Sequence, residues 1–237
     1  MSEVKTAVIT GASSGIGRAT ALRFAKEGYV LFLLGGSEKS LSSAAEECRS
    51  SGSPGVELAA INLSGADDLK DGCSRVKAFF SKIGVLVNCA GQFTEMPVKE
   101  ATYQDFLEEA LINLIAPQAI CADLLPLIIP DRGCIVNVSS IAALKGYYTG
   151  GIYAPTKAAL TNFSQCLRLN CEPQGISVVT VMPGVTNTRM HEGSDKYDSS
   201  KMLQPEEVAK QIYEAATSEG CVSELVLHPR KNARSLN

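Results

Sequence analysis

The chain has 237 residues, 45% of them hydrophobic and 20% charged, with a formal net charge of −3. That is enough chain for a sizeable core and ordinary for a soluble globular protein, and it lacks the basic field that nucleic-acid binders need. Continuous apolar runs stop short of the ~20 residues that span a bilayer, and eight scattered cysteines without a CxxC pair point to reduced thiols in a cytoplasmic setting.

The opening "MSEVKTAVIT" enters a strand-like run at once, leaving no room for a signal peptide. Short apolar runs at 5–10, 29–34, 56–61, 85–90, 134–139, 176–182 and 224–228 read as strands. Amphipathic stretches at 16–27, 39–50, 66–82, 100–128, 152–172 and 205–218 read as helices. Strict alternation of buried strand and helix predicts an α/β fold with a doubly wound, mostly parallel seven-stranded sheet and helices on both faces. No linker, repeat or charge block divides it, so residues 1–237 are expected to form one domain.

Ligands of such sheets bind beyond the carboxyl ends of the strands, which makes the segments after strands site candidates. In "TGASSGIGRAT" (10–20), Gly11 allows a sharp turn, Gly15 lets the backbone approach a pyrophosphate and Gly17 permits close helix–sheet packing. The helix opening near Ser14–Ile16 offers free N–H groups to phosphate. In "VNCAG" (87–91), Ala90 and Gly91 leave room for a flat ring, while Asn88 can brace the neighbouring strand. In "LINLIAPQ" (111–118), Pro117 lacks the N–H that would bond the Asn113 carbonyl. A kink is expected there, the freed oxygen holding a water linked to Lys157. "VNVSSIAA" (136–143) places Ser139 and Ser140 at a strand end.

"GIYAPTKAAL" (151–160) sets Tyr153 four residues before Lys157, on one helical face. A nearby ammonium lowers a phenol pKa that is otherwise about 10, which would make Tyr153 an acid or base near neutrality. A second match, Tyr197 and Lys201, lies in a polar loop and reads as coincidence. In "MPGVTNT" (182–188), Pro183 and Gly184 turn the chain and expose backbone groups around Val185, with Thr188 able to bond a phosphate or carboxamide. His191 and His228 read as surface or loop residues, and no metal-ligand spacing appears.

The order and spacing of these segments resemble the short-chain dehydrogenases/reductases over residues 4–228. "TGASSGIG" looks like the family's cofactor turn, "NCAG" like its NNAG, "YAPTK" like its YxxxK and "PGVTNT" like its PGxxxT. The family's serine lies thirteen residues before the tyrosine, which selects Ser140, and its asparagine twenty-seven before that, which selects Asn113. The resemblance implies a Rossmann-like NAD(P)-dependent oxidoreductase in which a nicotinamide carries hydride. Tyr153 would give or take the proton, Lys157 would tune it and bond the ribose, Ser140 would hold the carbonyl oxygen, and Asn113 would anchor a water. It further implies cofactor contacts at Gly11, Ser13, Ser14, Gly15, Ile16, Gly17, Gly36, Ser37, Asn62, Leu63, Asn88, Ala90, Gly91, Tyr153, Lys157, Pro183, Gly184, Val185 and Thr188, with no metal. Departures are Cys89 for an asparagine and Asn62 for an aspartate.

NAD-preferring members carry an acid at the end of the second strand. Here that end reads "FLLGGSEKS", so NADP is expected over NAD, with Ser37, Lys39 and Arg18 left to meet a 2′-phosphate and Glu38 opposing. A short polar lid over 189–204 suggests an open pocket for small or varied carbonyl compounds, and steroid, sugar, hydroxy acid and acyl-carrier ketone all stay open. The expected reaction is NADPH-dependent reduction of a ketone or aldehyde. Alternatives are an NAD-dependent alcohol or hydroxy-acid dehydrogenase, a cofactor-binding regulator without turnover, and a nucleotide-sugar epimerase or dehydratase. By family analogy, helices 100–128 and 152–172 would pair between subunits in a homodimer or homotetramer.

Overall fold

Runs rich in Val, Ile and Leu bury both faces of a strand, so they pair with one another and take cover from helices on either side. The computed structural model, which describes residues 5–192 and 196–230, shows β1 (Thr6–Thr10), β2 (Val30–Gly35), β3 (Val56–Ala60), β4 (Val85–Asn88), β5 (Cys134–Val138), β6 (Ser177–Pro183) and β7 (Glu224–Leu227). They form one sheet in the order β3-β2-β1-β4-β5-β6-β7. Every pairing is parallel. The chain winds outward from β1 to β3, then crosses to the other side of β1 to lay down β4. Strand order therefore reverses between β1 and β4, and a crevice opens at their carboxyl ends.

Alternate residues of each strand feed two cores. Ala7, Ile9, Leu31 and Leu33 pack with Phe24 of α1 (Gly15–Lys26), Leu41 of α2 (Glu38–Ser50) and Ile212 of α7 (Pro205–Ala216). Val8, Phe32, Leu34 and Leu86 face the other way, onto Val76 of α3 (Ala66–Phe79), Ile120 and Leu124 of α5 (Ala116–Leu124) and Leu167 of α6 (Tyr153–Cys171). Caps fix where helices begin. Ser37 accepts from the Ser40 N–H at the head of α2, and Thr102 and Asp105 form a reciprocal capping box at the head of α4 (Tyr103–Ala110).

The expected long helix over 100–128 is broken more finely than a kink. Between α4 and α5 lies a π turn, Leu111–Ile115, in which the Ala116 N–H reaches back five residues to the Leu111 carbonyl. Pro117, which has no N–H to give, sits in the first turn of α5. The wider π spacing precedes it, so the proline falls where a helix tolerates a missing N–H. Taken as one run, Tyr103–Leu127 is long enough to cross a membrane and contains an 18-residue window with a mean hydropathy of 1.6, which the short runs read along the sequence did not suggest. In the fold Ala116, Ile120, Cys121 and Leu124 turn this run's inner face onto the sheet.

Candidate active site

Beyond the carboxyl ends of the strands lies a cleft of about 1150 Å³. Its floor at one end is the turn after β1. Gly11 there has φ +70°, a left-handed value that glycine adopts without strain, and a Cβ on it would come within 2.8 Å of the Ala90 backbone. A Cβ on Gly17 would strike the Gly11 carbonyl. The turn can pass under the end of β4 only because both positions are bare. Thr10 locks the two segments together, its hydroxyl accepting from the N–H groups of Cys89 (3.0 Å) and Ala90 (3.1 Å).

The residues of this end fit a dinucleotide. The head of α1 presents backbone N–H groups with no side-chain cap to satisfy them, the arrangement that receives phosphate. The buried Ser13 hydroxyl, beside Gly35 at the end of β2, has no hydrogen-bond partner in the protein. Gly36, Ser37, Asn62 and Leu63 line the same stretch, and the Asn62 amide oxygen accepts from the Ser64 N–H and hydroxyl.

The YxxxK segment opens α6, so Tyr153 and Lys157 stand on the face turned to the cleft. The Lys157 ammonium is 4% exposed and donates to the Val138 carbonyl at 3.0 Å. Ser139 and Ser140 point differently: Ser139 donates to the Lys157 carbonyl (2.9 Å) inside the fold, whereas Ser140 sits at the cleft beside the Tyr153 phenol, with which it hydrogen-bonds. The family spacing had selected Ser140, and of the two serines it is the one that stands beside the Tyr153 phenol. Asn113 does not reach the cleft. Fully buried, its side chain accepts from the Gln92 N–H (2.8 Å) and donates to the Gln92 carbonyl (2.9 Å), Glu109 (3.0 Å) and Thr156 (3.2 Å).

The expected acidified phenol is not what this arrangement gives. Burial pushes Tyr153 up to about 12, and the Ser140 hydrogen bond draws it back only in part. Lys157 lies 5.8 Å from the ring centroid and is itself pushed down by burial to about 8. Desolvation disfavours both charged forms here and outweighs the attraction that sequence spacing suggested.

Other expectations are corrected too. Asn88 makes no cleft contact: it is buried, donating to Asn137 (2.9 Å) and the Cys121 thiol, and so braces β4 against β5. Arg18 is committed to Glu47 and Ser43 of α2 rather than turned to the cleft. His191 is no bystander. It forms the middle of an aromatic row in which Phe93 meets Tyr153 at 4.9 Å, His191 meets Phe93 at 5.3 Å, and Tyr197 meets His191 at 4.9 Å. Burial lowers the His191 pKa, against Glu95. Tyr197 and Lys201 do not act as a pair, since Lys201 bonds Asp198 at 2.9 Å. Of the expected lid, residues 193–195 lie outside the described residues.

All remaining predicted cofactor positions line the cleft: Ser14, Gly15, Ile16, Gly91, Pro183, Gly184, Val185 and Thr188, besides those above. The opposite end is lined by Phe93 and Tyr147, which the sequence did not single out, and by Met190 of the expected lid. Nothing in the local sequence marks Phe93 or Tyr147, because loops carry them there.

Known proteins with this architecture converge on one family. The profile described as short chain dehydrogenase matches residues 5–198. A serine 3-dehydrogenase of Agrobacterium fabrum is 31% identical over 90% of this chain and 88% of its own length. An NADP-dependent 3-hydroxy acid dehydrogenase of Schizosaccharomyces pombe is 31% identical over 90% of this chain and 87% of its own. Among solved structures, an alcohol dehydrogenase from Thermococcus sibiricus complexed with 5-hydroxy-NADP superposes with a TM-score of 0.88 at 25% identity, covering 96% of this chain and 97% of that one.

Proposed function

Because the chain belongs to the short-chain dehydrogenase family and is an NAD(P)-dependent oxidoreductase, we propose that it reduces a carbonyl compound to an alcohol with NADPH. One observation carries this reading: the Tyr153 phenol and Ser140 hydroxyl share a cleft with a glycine turn shaped for a dinucleotide. A bound nicotinamide supplies the hydride. Ser140 holds the substrate oxygen, and Tyr153, neutral over the whole physiological range, gives it a proton as charge develops there. Lys157 donates to the ribose and meets the negative charge left on the phenol. Asn113 acts from behind, keeping the 91–94 segment in place through both bonds to Gln92; a water on its backbone carbonyl remains part of the proposal.

Preference for NADP rests on the absence of an acid at the end of β2, on the exposed Lys39, and on the NADP named for two of the relatives above. The aromatic row and Met190 favour neutral, partly apolar carbonyl compounds. Exposed Tyr103, Ile115 and Leu169 on the α4–α5 run and α6 suit pairing of copies as a homodimer or homotetramer, which light scattering tests. Eight free cysteines agree with a reducing, cytoplasmic setting. The decisive experiment follows NADPH absorbance at 340 nm over a panel of ketones and aldehydes. Carbonyl-dependent oxidation of NADPH, lost in Tyr153→Phe, is expected; cofactor binding without turnover on any carbonyl or alcohol would leave a regulator instead.

A further inference from the structure

Among the described residues, two charged side chains alone are buried: Glu109 on α4, fully, and Lys157 on α6, 4% exposed. No direct ion pair joins them. Glu109 places one carboxylate oxygen on the Asn113 amide (3.0 Å) and the Thr94 N–H (3.3 Å), and its other oxygen has no partner. Lys157 has the Val138 carbonyl at 3.0 Å. Between them stands the Asn113 side chain: a Cβ built on Gly91 would lie 3.2 Å from its oxygen and 3.4 Å from the Lys157 nitrogen. An isolated buried charge is costly, and an opposite charge a few ångströms away in a poorly screened interior offsets that cost.

We propose that Glu109 is a positioning residue for the reductive reaction ascribed to this cleft, holding Lys157 as an ammonium and Asn113 in its fixed pose. The inference rests on that functional reading for its catalytic meaning and on geometry for the pairing. The groups facing Lys157 are few. Its own helix brings Tyr153, β5 brings only the Val138 carbonyl, the end of β4 brings Cys89, and α4 brings Glu109. Burial pushes the Cys89 thiol up to about 12, so it is neutral at physiological pH. Glu109 is then the anion that opposes the desolvation of Lys157. The same carboxylate raises Tyr153, so losing its charge moves both groups in one direction, towards lower pH.

Glu109→Gln keeps the acceptor oxygen and removes the charge. In the full chain labelled with ε-13C lysine, and with Lys157→Arg assigning the signal, the Lys157 midpoint in E109Q is expected to fall by roughly half a pH unit or more. Glu109→Asp, which retains the charge, should stay near wild type. An unchanged midpoint in E109Q, or an equal fall in E109D, would overturn the proposal. Glu109→Met, burying no polar group, gives the same measurement if the amide variant does not fold. In NADPH turnover, the alkaline limb of the E109Q profile should move to lower pH with KM little altered, and an unmoved limb would count against the role. Failure of the wild type to turn over any carbonyl would defeat the functional reading and its catalytic corollary alone, because the NMR titration needs neither substrate nor cofactor.

Discussion

The two ends of the cleft are built from different material. At the dinucleotide end the decisive atoms are backbone: the turn after β1, the bare Cα positions of Gly11 and Gly17, and the free N–H groups heading α1. At the substrate end they are side chains, Phe93, His191 and Tyr197, brought together by segments far apart in sequence. Backbone geometry tolerates almost no substitution, because adding one carbon creates a clash with main chain that cannot move aside. A row of ring contacts can be re-packed at modest cost. One end should thus be rigid and shared among relatives, the other adjustable.

Substitutions at the two ends should separate accordingly. The largest effect is expected between them, at the proposed proton donor: Tyr153→Phe should lower kcat by roughly 100- to 10,000-fold with NADPH affinity, read by fluorescence titration, little changed. Next comes the rigid end. Gly17→Val, which drives a side chain into the Gly11 carbonyl, should weaken NADPH binding and lower thermal stability by about 1–3 kcal/mol, and a wild-type melting curve would break the distinction drawn above. Ser37→Asp, placing a carboxylate where a 2′-phosphate would lie, should cost roughly tenfold in NADPH affinity while sparing NADH. The smallest effects belong to the adjustable end: Phe93→Leu should change KM about two- to fivefold, differently for aryl and alkyl ketones, within about 1 kcal/mol of binding energy.

A pH dependence sharpens the same contrast. His191 has a pKa below its ordinary 6.5 because burial disfavours the imidazolium. The folded state therefore binds fewer protons than the unfolded one around that pH, so the contribution of His191 is present above about 6.5 and lost as pH falls through its lowered folded-state value. KM for an apolar ketone should rise on acidification through that range, and His191→Phe should flatten the rise.

How much of this was legible in the sequence follows the same division. Strands and the glycine turn could be read because their signals are local: an unbroken apolar run, or a spacing of glycines after it. Tyr153, Lys157 and Ser140 could be placed by separation along the chain. The protonation of that pair could not, because burial is a property of the whole fold and it outweighed the charge attraction inferred from spacing. Asn88 was read both as a strand brace and as a cofactor contact for a related reason: a polar residue at a strand end can turn to ligand or to neighbour, and only the position of Cys121 and Asn137 shows that its side chain braces. Phe93 carries no local mark at all, and His191 was legible only as part of the expected lid, not as a ring in contact with Phe93.

The π turn at Leu111–Ile115 has a consequence for how this chain can change. A regular helix rotates about 100° per residue, and a π turn absorbs one residue beyond regular winding. Removing the extra residue would restore an ordinary coil and leave α4 in nearly its present phase, whereas the same deletion inside α4 or α5 would turn one part of the run against the other by about that angle. Loss of one residue is thus tolerated at this turn better than elsewhere along the run, although Ile112 lines the cleft there, and single-residue deletions among descendants of this sequence should collect at the turn or in surface loops.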